Sequence, residues 1–227
     1  MQLLSQSLGS LATQLPGATR VFHQFKLDFC CGGQHTLAEA LKKKGLEPGP
    51  ILAELNRLAE QPQLGKNWQE AGTQELISHI LARFHDKHRI QLPELIRLAR
   101  RVEHVHGDLP DCPTGLADHL EAMQMELESH MQKEEQILFP MLAQGMFPTG
   151  PVSVMQEEHL DHGEALERML ALAHDLELPP GACNTWTALY LGLRELKEDL
   201  MEHIHLENNI LFVDRASGEG SCCGSCH

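Results

Sequence analysis

Apolar residues recur in steps of three and four along most of this chain, and period-two alternation is nearly absent. That pattern predicts an all-α protein. Four long helices are expected over roughly 73–105, 114–143, 151–176 and 183–212. In the first, Ile77, Leu81, His85, His88, Leu92, Leu95 and Ala99 form the inward seam, and Pro93 is expected to kink it. The second places Leu116, Leu120, Met123, Leu127, His130, Glu134, Ile137 and Met141 inward. The third does so with Val152, Met155, His159, His162, Leu166, Met169 and Ala173, and the fourth with Leu189, Leu193, Leu196, Leu200, His203, Glu207 and Ile210. Breaks fall at Asp108-Pro110-Pro113, Gly145-Pro148-Gly150-Pro151 and Pro179-Pro180-Gly181. Short connections between helices of similar length favour an up-down-up-down four-helix bundle.

Ahead of the bundle the periods are shorter. Helical patterns cover Leu8 to Leu15 and about Pro16 to Phe25, followed by a tight loop, Asp28-Phe-Cys-Cys-Gly-Gly33. Thr36 and Glu39 have capping-box spacing, and a further helix follows Pro48 and Pro50. The Gln61-to-Asn67 stretch, with Pro62 and Gly65, has linker composition. The expected organisation is a small helical domain (1–62), a linker (63–72), the bundle (73–213) and a Gly/Ser/Cys-rich tail (214–227).

The seams carry residues that do not belong in an apolar core. His-x-x-x-Glu-x-x-Ile-Leu-Phe occurs twice, as His130/Glu134 with Ile137-Leu138-Phe139 and as His203/Glu207 with Ile210-Leu211-Phe212. A His and a Glu four apart share one helix face. An unpaired carboxylate buried there costs several kcal/mol or more. A metal between helices relieves that cost. With His85 and His159, each long helix contributes one imidazole, giving four His and two Glu. This mixed nitrogen and oxygen set suits iron or manganese better than a closed structural zinc site. Two His per ion, two bridging carboxylates and an oxygen bridge give two metals with five ligands each and an open sixth position. The Ile-Leu-Phe blocks read as core. His88 and His162 read as neighbours of the ligands. Glu126, one turn before His130, and Glu158, beside His159, read either as solvated faces or as a proton relay.

Composition narrows the partners. The 227 residues hold 18 Lys plus Arg against 32 Asp plus Glu, a net charge of −14, which argues against nucleic acid and anionic membrane. No apolar run is long enough to span a bilayer, and no basic start followed by an apolar block marks a secretory signal. Seven cysteines, an odd number with two adjacent pairs, suit free thiols in a reducing cytoplasm. Cys30 and Cys31 precede a Gly-Gly turn and a helix start, which favour thiolate, and adjacent cysteines seldom form an unstrained disulfide. Cys112 and Cys183, near helix starts, read as bystanders. Cys222, Cys223, Cys226 and His227 in the tail read equally as a soft-metal or thiol-exchange site and as incidental.

Several of these segments together resemble the repair-of-iron-centres proteins, a hemerythrin-like di-iron family with an N-terminal Cys-Cys domain. They are Asp28-Phe-Cys-Cys-Gly-Gly33, His85-Asp-Lys-His88, His130-Met-Gln-Lys-Glu-Glu-Gln-Ile-Leu-Phe-Pro140, Pro151-Val-Ser-Val-Met155 and His203-Ile-His-Leu-Glu-Asn-Asn209. The likeness spans about residues 7–213. It implies two iron ions, non-haem and carboxylate-bridged with an oxo or hydroxo bridge, on His85, His130, Glu134, His159, His203 and Glu207. It also implies functional thiols at Cys30 and Cys31, acidic neighbours at Glu126 and Glu158, and nitric oxide or oxygen as small ligand. The implied role is repair of iron–sulfur clusters damaged by nitric oxide or oxidants, with damaged iron–sulfur proteins as clients. Two rivals stay open: a nitric oxide reductase, and a non-enzymatic oxygen-, iron- or gas-binding module. Oxygen-carrying hemerythrins have a fifth imidazole four residues along the third helix. Gly163 stands there in this chain, which leaves a more open site.

Overall fold

The computed structural model describes residues 3–15, 17–30, 32–59 and 67–213. Cys31, residues 63–66 of the expected linker, and Cys222, Cys223, Cys226 and His227 in the tail lie outside them. Among the described residues there are helices, turns and one isolated antiparallel bridge, Ser7 to Thr36, but no strand.

Four short helices come first: α1 (Leu8–Gln14), α2 (Ala18–Gln24), α3 (Leu37–Lys44) and α4 (Pro48–Ala59). Ser7 caps α1 by accepting from the Ser10 amide at 3.2 Å. Thr36 and Glu39 close the expected capping box on α3, which ends at Gly45 in the left-handed region (φ 65°). Leu8, Leu11, Phe22, Phe29, Leu37, Leu41, Ile51 and Leu55 make a core within this unit. Met201, from the bundle, packs against both this core and the bundle's own.

The bundle has four rods. α5 (Thr73–Ile80) continues through a π turn (Leu81–His85) into α6 (Asp86–His106). α7 (Leu116–Lys133) continues through a π turn (Glu134–Leu138) into α8 (Phe139–Ala143). α9 (Thr149–Leu172) is uninterrupted, and α10 (Asn184–Leu206) ends in a third π turn (Glu207–Leu211). Contacts run antiparallel between neighbours. Arg100 reaches Glu121 while Arg89 reaches Glu128, and His119 reaches the Ala165 carbonyl while His130 reaches Glu158. Lys87 reaches Glu195 while His106 reaches Cys183. This is the expected up-down order.

The seams of α9 and α10 are buried as expected, whereas the second rod departs from its expected seam. Ile137 is 54% exposed and Met141 only half-buried, while Leu138 and Leu142 are buried instead. The π turn at Glu134–Leu138 causes this shift. It takes one more residue than an α-turn, so the inward face resumes one residue late. Ile137 is therefore not core, unlike the rest of the two Ile-Leu-Phe blocks. In the first rod the π turn buries Phe84 and His85 together and leaves Leu81 half-buried. α6 continues through Pro93, and the departure from regular α-geometry falls earlier, at Leu81–His85.

Candidate metal centre

Each π turn begins or ends on a buried polar residue of the centre: His85 closes the first, Glu134 opens the second and Glu207 opens the third. A π turn widens the helix locally and re-aims the side chains at its edges, which is why such turns gather at functional sites. The third rod carries His159 and no carboxylate ligand, and has no π turn.

Four imidazoles and two carboxylates converge. Glu134 spans two of the imidazoles, with Oε2 3.4 Å from His85 Nε2 and Oε1 3.4 Å from His130 Nε2. Glu207 spans the other two, with Oε1 3.0 Å from His203 Nε2 and Oε2 3.1 Å from His159 Nε2. His85 and His203 bring their Nε2 atoms to 3.1 Å, and so do His130 and His159. The result is two buried quartets, His85/Glu134/His203/Glu207 and His130/Glu134/His159/Glu207, that share both glutamates.

The donor set fits two cations. Glu134 and Glu207 are 0% exposed, and Glu134 Oε1, Glu134 Oε2 and Glu207 Oε2 lack a well-formed hydrogen bond. Two imidazole nitrogens at 3.1 Å need a proton or a metal cation between them, and either can fill that place here. Burial alone pushes the Glu134 carboxyl up, as does Glu207, but His130 and His85 outweigh both and hold it below the usual carboxylate range. Burial likewise opposes charge on His130, and Glu134, Glu207 and Glu158 overcome it and raise the imidazole to about 9. Protonated imidazoles there supply the positive charge that a metal supplies in its place.

The ring nitrogens facing away from the quartets are held from outside. His85 Nδ1 donates to Glu135 Oε1 at 2.8 Å, and His130 Nδ1 donates to Glu158 Oε2 at 2.9 Å. A carboxylate can only accept, so each fixes the tautomer that leaves Nε2 free to ligate. Glu135 is in turn held by Arg89 at 2.9 Å, and Glu158 by Lys133. His159 Nδ1 pairs with Asn208 Oδ1 at 2.9 Å. His203 Nδ1 has no hydrogen-bond partner among the described residues, but its ring stacks on Phe84 at 5.2 Å. Phe139 and Phe212 stack on His85 and His159, so the aromatic ends of the Ile-Leu-Phe blocks wall the centre.

Of the other candidates, Glu158 meets the centre through His130, whereas Glu126 is exposed and joins neither quartet. His88 and His162 are buried beside ligands, with ring centroids 5.5 Å from His203 and 4.9 Å from His130, but belong to neither quartet. Burial, joined by the neighbouring imidazoles, keeps His88 well below its usual value and His162 at about 3. Cys30 is 5% exposed, and its Sγ donates to Asp28 Oδ1 at 3.3 Å. Residue spacing did not single out Glu135, Arg89 or Asn208. Glu135 and Asn208 each directly follow a bridging glutamate, which is the one local signal they carry.

Residues 76–213 match the hemerythrin HHE cation binding domain, and residues 4–59 match ScdA_N, a domain of unknown function. The chain belongs to the YtfE/ScdA-type family. It is 52% identical to the iron-sulfur cluster repair protein YtfE of Pectobacterium carotovorum, over 96% of this chain and 100% of that protein. It is 51% identical to the protein of the same name from Dickeya chrysanthemi and 50% identical to that from Yersinia pseudotuberculosis, with the same coverage. In this YtfE/ScdA-type chain the two buried quartets lie within the part that matches the cation binding domain, and they form its candidate binuclear metal site. No helix among the described residues is long and apolar enough to cross a membrane.

Proposed function

We propose that this chain is a cytoplasmic di-iron protein that restores iron–sulfur clusters damaged by nitric oxide or oxidants, and that it acts by giving up iron. The observation that carries the reading is the pair of His₂ quartets sharing Glu134 and Glu207. Two imidazoles and two carboxylate oxygens per ion suit iron, and they leave coordination positions that the protein does not fill. When bound, the irons supply redox and small-ligand chemistry toward nitric oxide or oxygen. The protein's own residues do the remaining work. Glu135 and Glu158 orient His85 and His130, and their links to Arg89 and Lys133 reach toward the surface. Protonation of Glu158 would loosen His130 and so the iron it holds, which gives this carboxylate a part in release or proton delivery. Glu126, exposed one turn before His130, is assigned only a part in passing protons from solvent. Cys30, with Cys31, is assigned the handover of iron or nitrosyl to a client, the damaged iron–sulfur protein.

The test loads the protein with labelled iron and mixes it with an apo-ferredoxin and with a nitric oxide-inactivated cluster enzyme. Transfer of label in proportion to reactivation is the expected result. Multiple-turnover formation of nitrous oxide without iron transfer would overturn donation in favour of a reductase. Reversible gas binding with neither activity would leave a binding module.

A further inference from the structure

Among the described residues, one side chain links the small N-terminal unit to the metal centre by hydrogen bonds at both of its ends. Asn208 follows the bridging Glu207 inside the third π turn. Its Nδ2 donates to the Cys30 carbonyl at 3.3 Å, and its Oδ1 pairs with His159 Nδ1 at 2.9 Å. A backbone carbonyl can only accept, so the amide NH₂ must face Cys30. The oxygen is then left for His159, whose Nδ1 must carry the proton, and His159 Nε2 keeps its lone pair for the quartet. A contact in the thiol loop thereby sets which nitrogen of a metal ligand can ligate. Among the described residues the other three imidazoles show no such link: His85 and His130 are held by carboxylates of the bundle itself, and His203 by stacking.

The docking around this side chain is close. A Cβ on Gly9 would stand 2.2 Å from Asn209 Oδ1, and one on Gly33 would stand 3.0 Å from the same atom. Asn209 is fixed by its own bonds to His205. Ser7, Cys30, Gly33 and Gln34 face Gln156, Leu160, Asn208 and Asn209 across a cavity of about 400 Å³. Asn208 thus ties Cys30 to the π turn at the wall of this cavity.

We propose that Asn208 is a positioning residue that couples the Cys30 loop to the His130/His159 half of the metal centre and leaves the His85/His203 half independent. Metal on His159 holds Asn208, and Asn208 holds the Cys30 backbone. Displacing that loop frees the Asn208 amide and loosens one of the two metals. The inference rests on the two-metal reading above and adds a direction to it: the half of the centre nearest the thiols is the half they address.

The experiment uses the full chain as wild type, Asn208→Leu and Asn208→Asp, each without metal and loaded with Fe(II). It reads site-resolved alkylation of Cys30 by mass spectrometry and the Mössbauer spectrum of ⁵⁷Fe. In wild type, metal loading should slow Cys30 alkylation roughly fivefold or more, the low end of ordinary site–site coupling. In Asn208→Leu that dependence should vanish. Affinity for one iron should fall about 10–100-fold, with one of two Mössbauer components altered and the other kept. Asn208→Asp separates the halves of the device. Its carboxylate still accepts from His159 and retains both irons, but it cannot donate to Cys30, so alkylation stays fast with or without metal. If Asn208→Leu fails to fold, the Asp variant alone decides. Equal metal dependence of Cys30 alkylation in wild type and in either variant would overturn the coupling. Equal perturbation of both Mössbauer components would overturn its one-sidedness. Failure of wild type to bind two metals would instead overturn the underlying site, and the alkylation rates of metal-free wild type and Asn208→Leu would still compare the loop contact itself.

Discussion

At the scale of single residues, both quartets share Glu134 and Glu207, and in the proposed di-iron centre each carboxylate would serve both metals. Glu134→Ala or Glu207→Ala should therefore remove or disrupt both irons together, as measured by metal analysis and Mössbauer spectroscopy. A variant that loses one iron and keeps the other with an unchanged spectrum would contradict bridging. The outer carboxylates act through the imidazoles they orient. Glu135→Ala and Glu158→Ala should each weaken metal binding about 10–100-fold, the usual cost of removing such a partner. His88→Ala and His162→Ala should change metal content little, since neither joins a quartet. If His162→Ala behaved like His159→Ala, the third helix would supply two ligands.

At the scale of elements, the π turns and the ion pairs between rods invite separate tests. Ile137 is an outward residue of the second π turn, beside exposed Gln136. Deleting Ile137 should restore an α-turn with Leu138 and Leu142 still inward, because the missing residue returns the seam to its three-four spacing. Helical circular dichroism should be retained while metal affinity falls, because Glu134 loses the aim that the wide turn gives it. Retention of full affinity would mean that the π turn is incidental. Between the first and fourth rods, Asp199 is buried and receives Arg83 at 2.6 Å and Lys87. Burial alone would raise its carboxyl, but Arg83 and Lys87 outweigh that and hold it below its usual value. A depressed value means that the pair stabilises the fold above the ordinary carboxylate range, near 4, and stops doing so as pH falls through the depressed value. Asp199→Asn should cost about 2 kcal/mol at neutral pH, a fall of roughly 4–8 °C in melting temperature. The gap from wild type should close in acid. A gap that is constant down to the acid limit would show that packing, rather than charge, is lost.

At the scale of the molecule, the N-terminal unit lies along the α9–α10 side of the bundle, from the Lys26–Asp175 ion pair to the close approach of Gly9 and Gly33 to Asn209. A Cβ on Gly33 would stand 2.6 Å from the Phe29 carbonyl as well as close to Asn209, so the backbone of the thiol loop would have to move. Gly33→Ala should cost about 1–3 kcal/mol, the usual penalty of overpacking. Hydrogen exchange should accelerate in residues 3–59 and around Asn208, with less change at His85 and Arg89. Uniform acceleration over all four rods would mean that the two units unfold as one.

The sequence by itself determined the helical class and the four rods, and its spacing singled out the six residues that the structure brings together. Period and spacing are properties of one helix at a time, and a His and a Glu four apart must share a face whatever packs against them. The seam positions of α9 and α10 were legible for the same reason. The tertiary structure decided what no single helix encodes. The positions of the three π turns are one example, because the centre pulls its glutamates and His85 inward against regular α-geometry, and the exposure of Ile137 follows from that. The partners of His85, His130 and His159 are another: Glu135, Glu158 and Asn208 matter only because of rings on other rods. Last is the contact from the Cys30 carbonyl to Asn208. It joins residues 178 positions apart, and it exists only because glycines at 9 and 33 let one folded unit close on another.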